Sequence, residues 1–472
     1  MATDCIGRRY EFQGVGGREI LACFDGGRIS SDGGVVLLRE VDRCRRIVER
    51  FAGCFVDARN PEAIEHSVEE LVRQRLFALA LGCEDLNDHD ELRRDALLAA
   101  VVGKQDPTGQ DRRRERDRGR ALAGKSTLNR LEWGVSGEIG KDRYRRIAVD
   151  GKAVDRFFVE LFLDSVAKAP EQIVLDCDAT DDLIHGNQEG RFFHGYYGGY
   201  CYLPLYIFCG DHLLLARLRR ANLDASAGCV EELARIVAQI RERWPKTAIL
   251  VRGDSGFARE ALMSWCEENR VDYVFGLAKN PRLEAALEPA FERAHRCCEL
   301  SGQPERVYEE WQHSTLESWS RERRVIGKAQ ITERGENPRF VVTSLSRRKA
   351  GARRVYEEIY CARGEMENRI KEQQLDLFAN RTSARLMRVN QLRLWLSSVA
   401  YTLLSELRRL GLAGTAFARA RCSTIRLKLL KIGALVRITV RKIWVSMATG
   451  YPYEALFAHA YDQLRRAGPA PA

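Results

Sequence analysis

The first third of the chain shows helical periodicity. Apolar side chains recur every three or four positions in the stretches 35–47 and 68–79, with polar residues between them. That spacing gathers the apolar side chains on one face of a helix. The pattern predicts a mainly helical region over residues 1–165.

After Glu171 the period changes to short apolar runs that are typical of strands. We predict strands at 173–178, 200–209, 213–218, 248–251 and 273–277, and helices at 230–244 and 259–269. Three consecutive strands followed by alternating helices and strands form a mixed sheet flanked by helices. This order matches a ribonuclease H-like core, in which the first and fourth strands are neighbours. We therefore predict an α/β fold with the first part of that core at residues 166–280.

Two further changes of pattern divide the rest of the chain. Strand-like runs at 307–308, 324–332 and 339–344 predict a β-rich insertion over residues 281–355. Residues 356–410 return to helical periodicity and are predicted to complete the core. Residues 411–472 are basic and are predicted to form a helical C-terminal region.

Three carboxylates have sequence contexts suited to a metal site. Asp178 and Asp254 each end an apolar, strand-like run, and Glu367 lies in a segment predicted to begin a helix. If the first and fourth strands are neighbours, the two aspartates meet at one edge of the sheet despite a gap of 254 − 178 = 76 residues. Two strand-end aspartates and one helical glutamate are what two Mg²⁺ ions need for in-line phosphoryl transfer.

The first of these positions has rivals. Asp176, Asp181 and Asp182 lie close to Asp178 in the sequence. We prefer Asp178, because Asp-Ala-Thr closes the strand and Thr180 can hydrogen-bond nearby, and because we expect Asp176 on the opposite face of the sheet. The alternative interpretation of Asp178 is a turn residue that caps the strand.

The predicted helix around Glu367 carries a polar stripe. Its members are spaced three, four, four and three residues apart and share one helix face: Tyr360, Arg363, Glu367, Lys371 and Gln374. Arg363 can hold Glu367 in place or contact a phosphate, and Tyr360 can hydrogen-bond to or stack on DNA. Glu365 is the local rival and falls on a different face. The alternative is a solvated face of salt bridges.

Composition and charge narrow the partners. The formal net charge is +10, which favours polyanionic partners. The fourteen cysteines are scattered without a Cys-x-x-Cys pair, which indicates reduced cytoplasmic thiols rather than a disulfide framework. The most apolar helical stretch, 394–404, is too short to span a bilayer, so we expect no membrane partner. The charge run between Gln105 and Lys125, with Arg112, Arg113 and Arg114 as its first arginines, is a candidate exposed loop or backbone-binding arm; the alternative is a solvated surface.

The three carboxylates and their motifs resemble the DDE transposases of bacterial insertion sequences. Tyr360-x-x-Arg363-x-x-x-Glu367 is similar to the tyrosine-arginine-glutamate-lysine signature of that group, with Gln374 where the last lysine is expected and Lys371 one turn earlier. Asp178-Ala-Thr, His185-Gly-Asn-Gln-Glu-Gly190, Arg252-Gly-Asp-Ser-Gly256 and Glu367-Asn-Arg-Ile-Lys-Glu372 resemble the insertion-sequence 1380 family. The likeness runs from about Ser30 to Leu410.

The resemblance implies a metal-dependent enzyme that acts on double-stranded DNA. Asp178, Asp254 and Glu367 would bind two Mg²⁺ or Mn²⁺ ions, and the implied reaction is cleavage at the element's ends followed by attack of the freed 3′-hydroxyl on target DNA. A helical N-terminal region would bind the terminal repeats, and the synaptic complex would be a homodimer. Tyr360, Arg363 and Lys371 would contact DNA. Relatives with such an insertion can form a DNA hairpin in which an aromatic side chain holds a flipped base. Trp311 and Trp319 are the candidates for this contact. The alternative is that they pack within the insertion.

Two other functions remain open at this point. One is a ribonuclease H-like nuclease or resolvase that cuts DNA without joining it. The other is a non-catalytic DNA-binding protein derived from a transposase, which the presence of all three carboxylates disfavours. We expect a cytoplasmic bacterial protein, associated with the nucleoid when active, that has no small-molecule substrate.

Overall fold

The computed structural model describes residues 8–134 and 145–469. Residues 1–7, 135–144 and 470–472, which belong to the predicted N- and C-terminal regions, lie outside the described residues. The strands are β1 (Tyr10–Val15), β2 (Arg18–Ala22), β3 (Ile29–Ser30), β4 (Phe55–Asp57), β5 (Ile147–Val149), β6 (Gln172–Ala179), β7 (Asp182–Leu183), β8 (Phe192–His194), β9 (Gly199–Tyr202), β10 (Leu205–Cys209), β11 (His212–Arg217), β12 (Ala248–Gly253), β13 (Asp272–Leu277), β14 (Arg306–His313), β15 (Arg323–Thr332), β16 (Gly335–Glu336), β17 (Arg339–Thr343), β18 (Ala434–Ile438) and β19 (Ile443–Met447).

Helices separate and cover these strands. They are α1 (Val35–Arg45), α2 (Ile47–Ala52), α3 (Val68–Ala80), α4 (His89–Leu92), α5 (Ala96–Val102), α6 (Lys125–Trp133), α7 (Gly151–Ser165), α8 (Cys229–Arg243), α9 (Glu260–Glu268), α10 (Pro281–Ser301), α11 (Ala352–Arg354), α12 (Gly364–Lys371), α13 (Met387–Glu406), α14 (Cys422–Ile425) and α15 (Glu454–Ala467). Within the described residues the chain divides into two compact units.

The first unit is mainly helical. It comprises Met1–Asp150, Asp376–Phe378 and Val399–Ala472. Helix α3 begins at a capping box, in which Ser67 and Glu70 each accept a hydrogen bond from the other's backbone N–H. The expectation of a helical stretch over 411–472 needs correction: β18 and β19 form an antiparallel hairpin there, and β18 also pairs with β3. Val436 and Ile438 in β18, which are separated by Arg437, follow the strand period of two, and the basic residues of this region concealed that pattern.

The second unit, Gly151–Leu375 and Ala379–Ser398, is built on a large mixed sheet. Within the described part of the chain the sheet has nine strands in the order β11-β10-β6-β12-β13-β17-β15-β14, with β16 attached to β15. Strand β12 is parallel to both β6 and β13, and the other neighbours are antiparallel. The first and fourth predicted strands, β6 and β12, are therefore direct neighbours. The chain has a mixed α/β fold.

Both faces of this sheet are covered. Apolar side chains from α7, α8, α9 and α10 pack on one face, to which the central strands contribute Leu175, Val251 and Phe275. The helical segment 352–360 covers the other face, where Leu250 and Val274 contact Val355 and Tyr356. Two-sided burial explains why the central strands are continuous apolar runs in the sequence.

One predicted strand is two. The run 200–209 divides at Leu203-Pro204 into β9 and β10, because proline has no N–H to donate to a ladder. Strand β10 stays in the large sheet, whereas β9 lies between β7 and β8 in a separate three-stranded sheet. This small sheet was not predicted as a separate element.

The segment 281–355 differs in two ways from a separate β-rich insertion. Its first residues form the long helix α10, whose buried Leu283, Leu287 and Phe291 lie at helical spacing. Its strands β17, β15 and β14 continue the large sheet beyond β13 rather than forming a sheet of their own. Among residues 8–134 and 145–469, no helix is both long and apolar enough to cross a membrane.

Candidate active site

Parallel pairing of β6 and β12 brings two of the predicted carboxylates to the same edge of the sheet. Asp176 is the register partner of Arg252, an offset of 252 − 176 = 76 residues. Asp178, in β6, and Asp254, directly after β12, lie two residues further along the chain at the same offset of 76. The carboxyl ends of parallel strands are where open sheets bind ligands.

Asp176, the rival of Asp178, is held by a buried ion pair. Arg252 donates from Nε to Oδ1 of Asp176 at 2.6 Å and from Nη2 to Oδ2 at 2.7 Å. The expectation that Asp176 lies on the opposite sheet face is wrong, because residues two apart in a strand share a face. Burial raises the pKa of Asp176, and Arg252 opposes that shift. Both oxygens of Asp176 are thus engaged by Arg252.

The third predicted carboxylate lies on a long helical segment over the same face. Helical turns continue from α11 through Val355–Tyr360 and Cys361–Arg363 into α12, which carries Glu367. The turns at Val355–Tyr360 are of the wide π type, which often occurs at functional sites. Arg252 also donates from Nη1 to the Ile359 carbonyl at 2.6 Å, which fixes this segment to β12.

Arg363 links Glu367 to Asp178. Its Nη2 donates to Oε1 of Glu367 at 2.7 Å, and its Nη1 lies 3.6 Å from Oδ1 of Asp178. Burial opposes the charge of Arg363, but the carboxylates of Asp178 and Glu367 hold its pKa above the ordinary value. The predicted contact between Arg363 and Glu367, one helical turn apart, is present.

Negative charge is concentrated around Asp178. Burial, together with the charges of Asp254 and Glu367, raises the pKa of Asp178 to about 7, although Arg363 opposes the shift. The carboxylate therefore lies within the electrostatic reach of both other candidates. Oδ1 of Asp254 accepts a hydrogen bond from the Gly256 N–H at 2.8 Å, which fixes the turn that follows β12.

Tyr360 reaches the same edge of the sheet through a glycine. A methyl group on Gly276 of β13 would lie 2.5 Å from the Tyr360 hydroxyl oxygen and 3.0 Å from the Ser255 nitrogen. The missing side chain of Gly276 thus admits the Tyr360 ring beside the turn that carries Asp254. Burial raises the pKa of Tyr360; Arg363 opposes the shift and Asp254 adds to it.

Gln374, which ends the polar stripe where the signature has a lysine, contacts β7 and the residue before it. The side-chain amide of Gln374 donates to Oδ1 of Asp182 at 2.9 Å and to the Asp181 carbonyl at 3.1 Å. Asp182 is fully buried, and burial raises its pKa to about 7. Lys371, one turn earlier, is exposed.

The predicted DNA-binding tryptophans are partly buried. Trp311 on β14 packs against the sheet core and lies edge-on to Phe340, with ring centroids 6.3 Å apart. Trp319 packs against the same core, and the Arg323 guanidinium lies 5.5 Å from its ring centroid.

The arginines of the charge run, in the first unit, have different surroundings. Nη2 of Arg112 lies 3.1 Å from Glu65, and Nη1 donates to the Arg120 carbonyl at 2.7 Å. Arg113 donates to the Glu62 carbonyl. Arg114 is exposed, and its neighbours in sequence continue the run.

Two residues near the carboxylates were not among the predicted site residues. Arg252 holds Asp176, and its position two residues before Asp254 in Arg252-Gly-Asp is the signal that could have revealed it, since Arg252 and Asp176 are register partners just as far apart in the sequence as Asp254 and Asp178. Tyr197 lies in the loop between β8 and β9. Burial raises its pKa to about 12, and the charges of Asp181, Asp178 and Asp254 add to the shift.

The chemistry of the three carboxylates suits a divalent cation. Among the described residues, no three potential ligand side chains surround a single point, and Arg363 lies between Asp178 and Glu367. All three side chains offer hard oxygen donors, which Mg²⁺ prefers. Burial is the main cause of the raised pKa of Asp178, and the charges of Asp254 and Glu367 add to it; a bound cation would oppose both effects.

One comparison with known families matched nearly the whole chain. The family model described as transposase DDE domain, group 1, matches residues 12–469. A search among curated proteins returned no matching relative.

Proposed function

The chain belongs to the family of transposases with a group 1 DDE domain, and from this membership and the carboxylate geometry we propose that it cuts and joins DNA at the ends of an insertion sequence. The family implies a metal-dependent, DNA-cleaving enzyme that has DNA as its partner. Our proposal adds that the protein binds the terminal inverted repeats and transfers the freed 3′-hydroxyl to target DNA.

We assign the catalytic roles to Asp178, Asp254 and Glu367. One observation carries this assignment: the parallel register of β6 and β12, which brings both aspartates to one sheet edge opposite the helix that carries Glu367. The ion pair from Arg363 to Glu367 and Asp178 supports the same grouping. Asp176 is not assigned a catalytic role, because Arg252 engages both of its oxygens.

These three side chains would also hold the metal, proposed as two Mg²⁺ or Mn²⁺ ions. Bound cations of this kind lower the pKa of an attacking water or hydroxyl and stabilise the leaving oxygen. The protein's own part is to keep the carboxylates ionised and oriented. Arg363 does so by opposing the rise in the pKa of Asp178 and by fixing the position of Glu367.

Contacts with DNA are proposed for residues around this centre and in the charge run. Tyr360, Arg363 and Lys371 belong to the helical segment above the sheet edge. Arg112, Arg113 and Arg114 were predicted to contact the DNA backbone, and of these we propose Arg114 for that role. Contact of Trp311 or Trp319 with a flipped base stays a prediction from the sequence. Arg114 is exposed, whereas Arg112 and Arg113 are held by protein partners.

We also propose the fold of the catalytic core, the narrower family, the functional segments and the working form of the protein. The strand order β11-β10-β6-β12-β13 supports a ribonuclease H-like core, and the motifs support membership of the insertion-sequence 1380 family. We propose five functional segments, 1–165, 166–280, 281–355, 356–410 and 411–472, of which the first binds element ends. The working form is proposed to be a homodimer in the cytoplasm, associated with the nucleoid.

The test is incubation of the protein and Mg²⁺ with labelled DNA that carries the inverted repeats flanking the gene. We expect nicked ends and joined products, and the assay also resolves hairpins. Asp178→Asn, Asp254→Asn and Glu367→Gln should each lower cleavage by at least about a thousandfold while DNA binding persists. Glu365→Gln is the matched control. Glu365 lies two residues before Glu367 on a different face of the helix and is exposed, so this variant should retain wild-type activity.

Each other outcome selects a different function. Cleavage without joined products favours a nuclease or resolvase. Binding without metal-dependent cleavage favours a non-catalytic DNA-binding protein. Full activity of any one of the three carboxylate variants removes that residue from the site.

A further inference from the structure

A small sheet beside the carboxylates exposes an unusual number of aromatic rings. Strands β8 and β9 and their connecting loop, residues 191–202, form a hairpin that we name the aromatic hairpin. Phe193 is 58 % exposed and Tyr196, in the loop, is 86 % exposed. Phe192 and Tyr200 are exposed as well. Large exposed rings that cluster on one element mark a binding surface.

The aromatic hairpin continues the ladder that carries Asp178. Asp178 pairs with Tyr206 and Ala179 with Leu205 in the β6–β10 ladder. The Thr180 N–H then donates to the Pro204 carbonyl, and Asp182 of β7 pairs with Tyr202 of β9. The hairpin therefore emerges at the sheet edge where Asp178 lies.

The base of the hairpin is fixed and its flank is basic. The Arg191 guanidinium lies 4.5 Å from the Tyr200 ring centroid and donates to the Gly186 carbonyl at 2.5 Å. Tyr202 donates to the Glu189 carbonyl, and its backbone forms a bridge with Arg220, which is exposed. Tyr197 packs against buried Cys201 and Leu203, so the loop is held while Tyr196 points outward.

We propose that the aromatic hairpin stacks on unpaired bases of the DNA end beside the phosphate cut at the carboxylate site, through Phe193 and Tyr196. Aromatic side chains stack on any base, and Arg191 and Arg220 supply positive charge for the adjoining phosphates. This inference rests on the proposed function and adds the element that holds the DNA end open.

The hairpin suits this role better than the tryptophans of β14 and the loop after it. Trp311 and Trp319 are partly buried against the sheet core, so stacking on a base would require them to leave that packing. Tyr196 and Phe193 are already exposed and need no such rearrangement. Each base stacked on an aromatic ring contributes roughly five- to hundredfold in affinity.

The test uses the full-length protein and element-end DNA with 5-iodouracil at single positions beside the cut. Ultraviolet light joins iodouracil to an aromatic ring stacked on it, and mass spectrometry identifies the peptide. We expect crosslinks within residues 191–202, at positions next to the cut and not in the duplex interior. Phe193→Ala with Tyr196→Ala should remove them and lower the cleavage rate at subsaturating protein by at least roughly fivefold.

Two matched variants complete the design. Tyr196→Phe, made in the wild-type protein, keeps the ring and should keep both the crosslink and the cleavage rate. If Tyr196 acted through a hydrogen bond of its hydroxyl group, this variant would lose activity. Leu300→Ala removes an apolar side chain that is 89 % exposed on α10 and should leave both measurements unchanged.

Three results would overturn the inference. They are crosslinks that map to Trp311 or Trp319, hairpin variants that cleave at the wild-type rate, and hairpin variants that change only self-association, which would identify this surface as a contact with a second copy. In all three the wild type still cleaves the DNA and the proposed function stands. A wild type that neither binds nor cleaves the element ends overturns the proposed function together with the inference.

Discussion

Two aspartates that lie two residues apart on β6 have opposite physical roles. Asp176 neutralises the buried guanidinium of Arg252, whereas Asp178 lies among other carboxylates. We predict that Asp176→Asn lowers the free energy of unfolding by about 3–5 kcal/mol, because it leaves Arg252 buried without a counter-charge. Asp178→Asn should change it by less than about 1 kcal/mol, since the variant removes a carboxylate that burial already disfavours.

Urea denaturation of both variants checks this prediction, and the cleavage assay separates stability from chemistry. Asp178→Asn should be folded and inactive. Equal stability of the two variants would contradict the assignment of Asp176 to a structural ion pair.

Asp182 provides a pH-dependent contribution to stability. It is fully buried, its pKa is raised to about 7 by burial, and Gln374 donates to one of its oxygens. The folded state therefore binds its proton more tightly than the unfolded state does. The stability that this proton contributes is complete below about pH 4 and is lost as the pH rises through about 7.

Asp182→Asn should remove this pH dependence. We expect the variant to exceed the wild type in free energy of unfolding by up to about 4 kcal/mol at pH 8, with the difference shrinking as the pH falls towards 4. Urea denaturation at several pH values measures the difference. A difference that is constant with pH would show that Asp182 does not titrate in this range.

Residue type and strand context led to the prediction of Asp178, Asp254 and Glu367 as a group, and the catalytic role of that group stays a prediction. They were not enough to separate Asp176 from Asp178, because both share a face and the distinction depends on Arg252, which is 76 residues away. Pairings across neighbouring strands set such environments, and a single sequence does not reveal them locally.

At the scale of elements, periodicity predicted the helix that carries Glu367 but not its geometry. The contact between Arg363 and Glu367 follows from their spacing of four. The wide turns at Val355–Tyr360 and Glu372–Asp376 change the helical register on either side of α12. Gln374 accordingly contacts Asp182 rather than continuing the stripe beside Glu367.

The role of Trp311 on β14, packing or contact with DNA, can be tested by substitution. Trp311 packs on the sheet core, so Trp311→Ala should lower the free energy of unfolding by about 2–4 kcal/mol through lost burial. Leu316→Ala, in the exposed loop after β14, should change it by less than about 0.5 kcal/mol. Calorimetric unfolding of both variants makes the comparison. A Trp311 variant as stable as the wild type, with weaker DNA binding, would favour the predicted contact with a flipped base.

At the scale of the whole molecule, the order of strands was more predictable than the extent of the sheet. The alternation of strands and helices from Glu171 to Leu277 determined the neighbours β6 and β12. The addition of β17, β15 and β14 beyond β13 was not predictable, because antiparallel edge pairing between distant strands leaves no periodic signal. The pairing of β18 with β3 was hidden for a related reason, since the two strands lie about 400 residues apart.

The positive charge of the whole molecule can be tested through the proposed DNA binding, because each phosphate contact would contribute to the salt dependence of affinity. Arg114 is exposed, whereas Arg112 is held by Glu65 and by the carbonyl of Arg120. We predict that Arg114→Ala reduces the slope of log affinity against log salt by about 0.9 and leaves stability unchanged. Arg112→Ala should keep the wild-type slope but lower the free energy of unfolding by about 1–3 kcal/mol, because it removes charged hydrogen bonds.

Binding of element-end DNA measured from 50 mM to 200 mM salt, together with urea denaturation, separates the two effects. A wild-type slope for Arg114→Ala would exclude that side chain from the DNA-binding surface and leave the charge run as solvated surface.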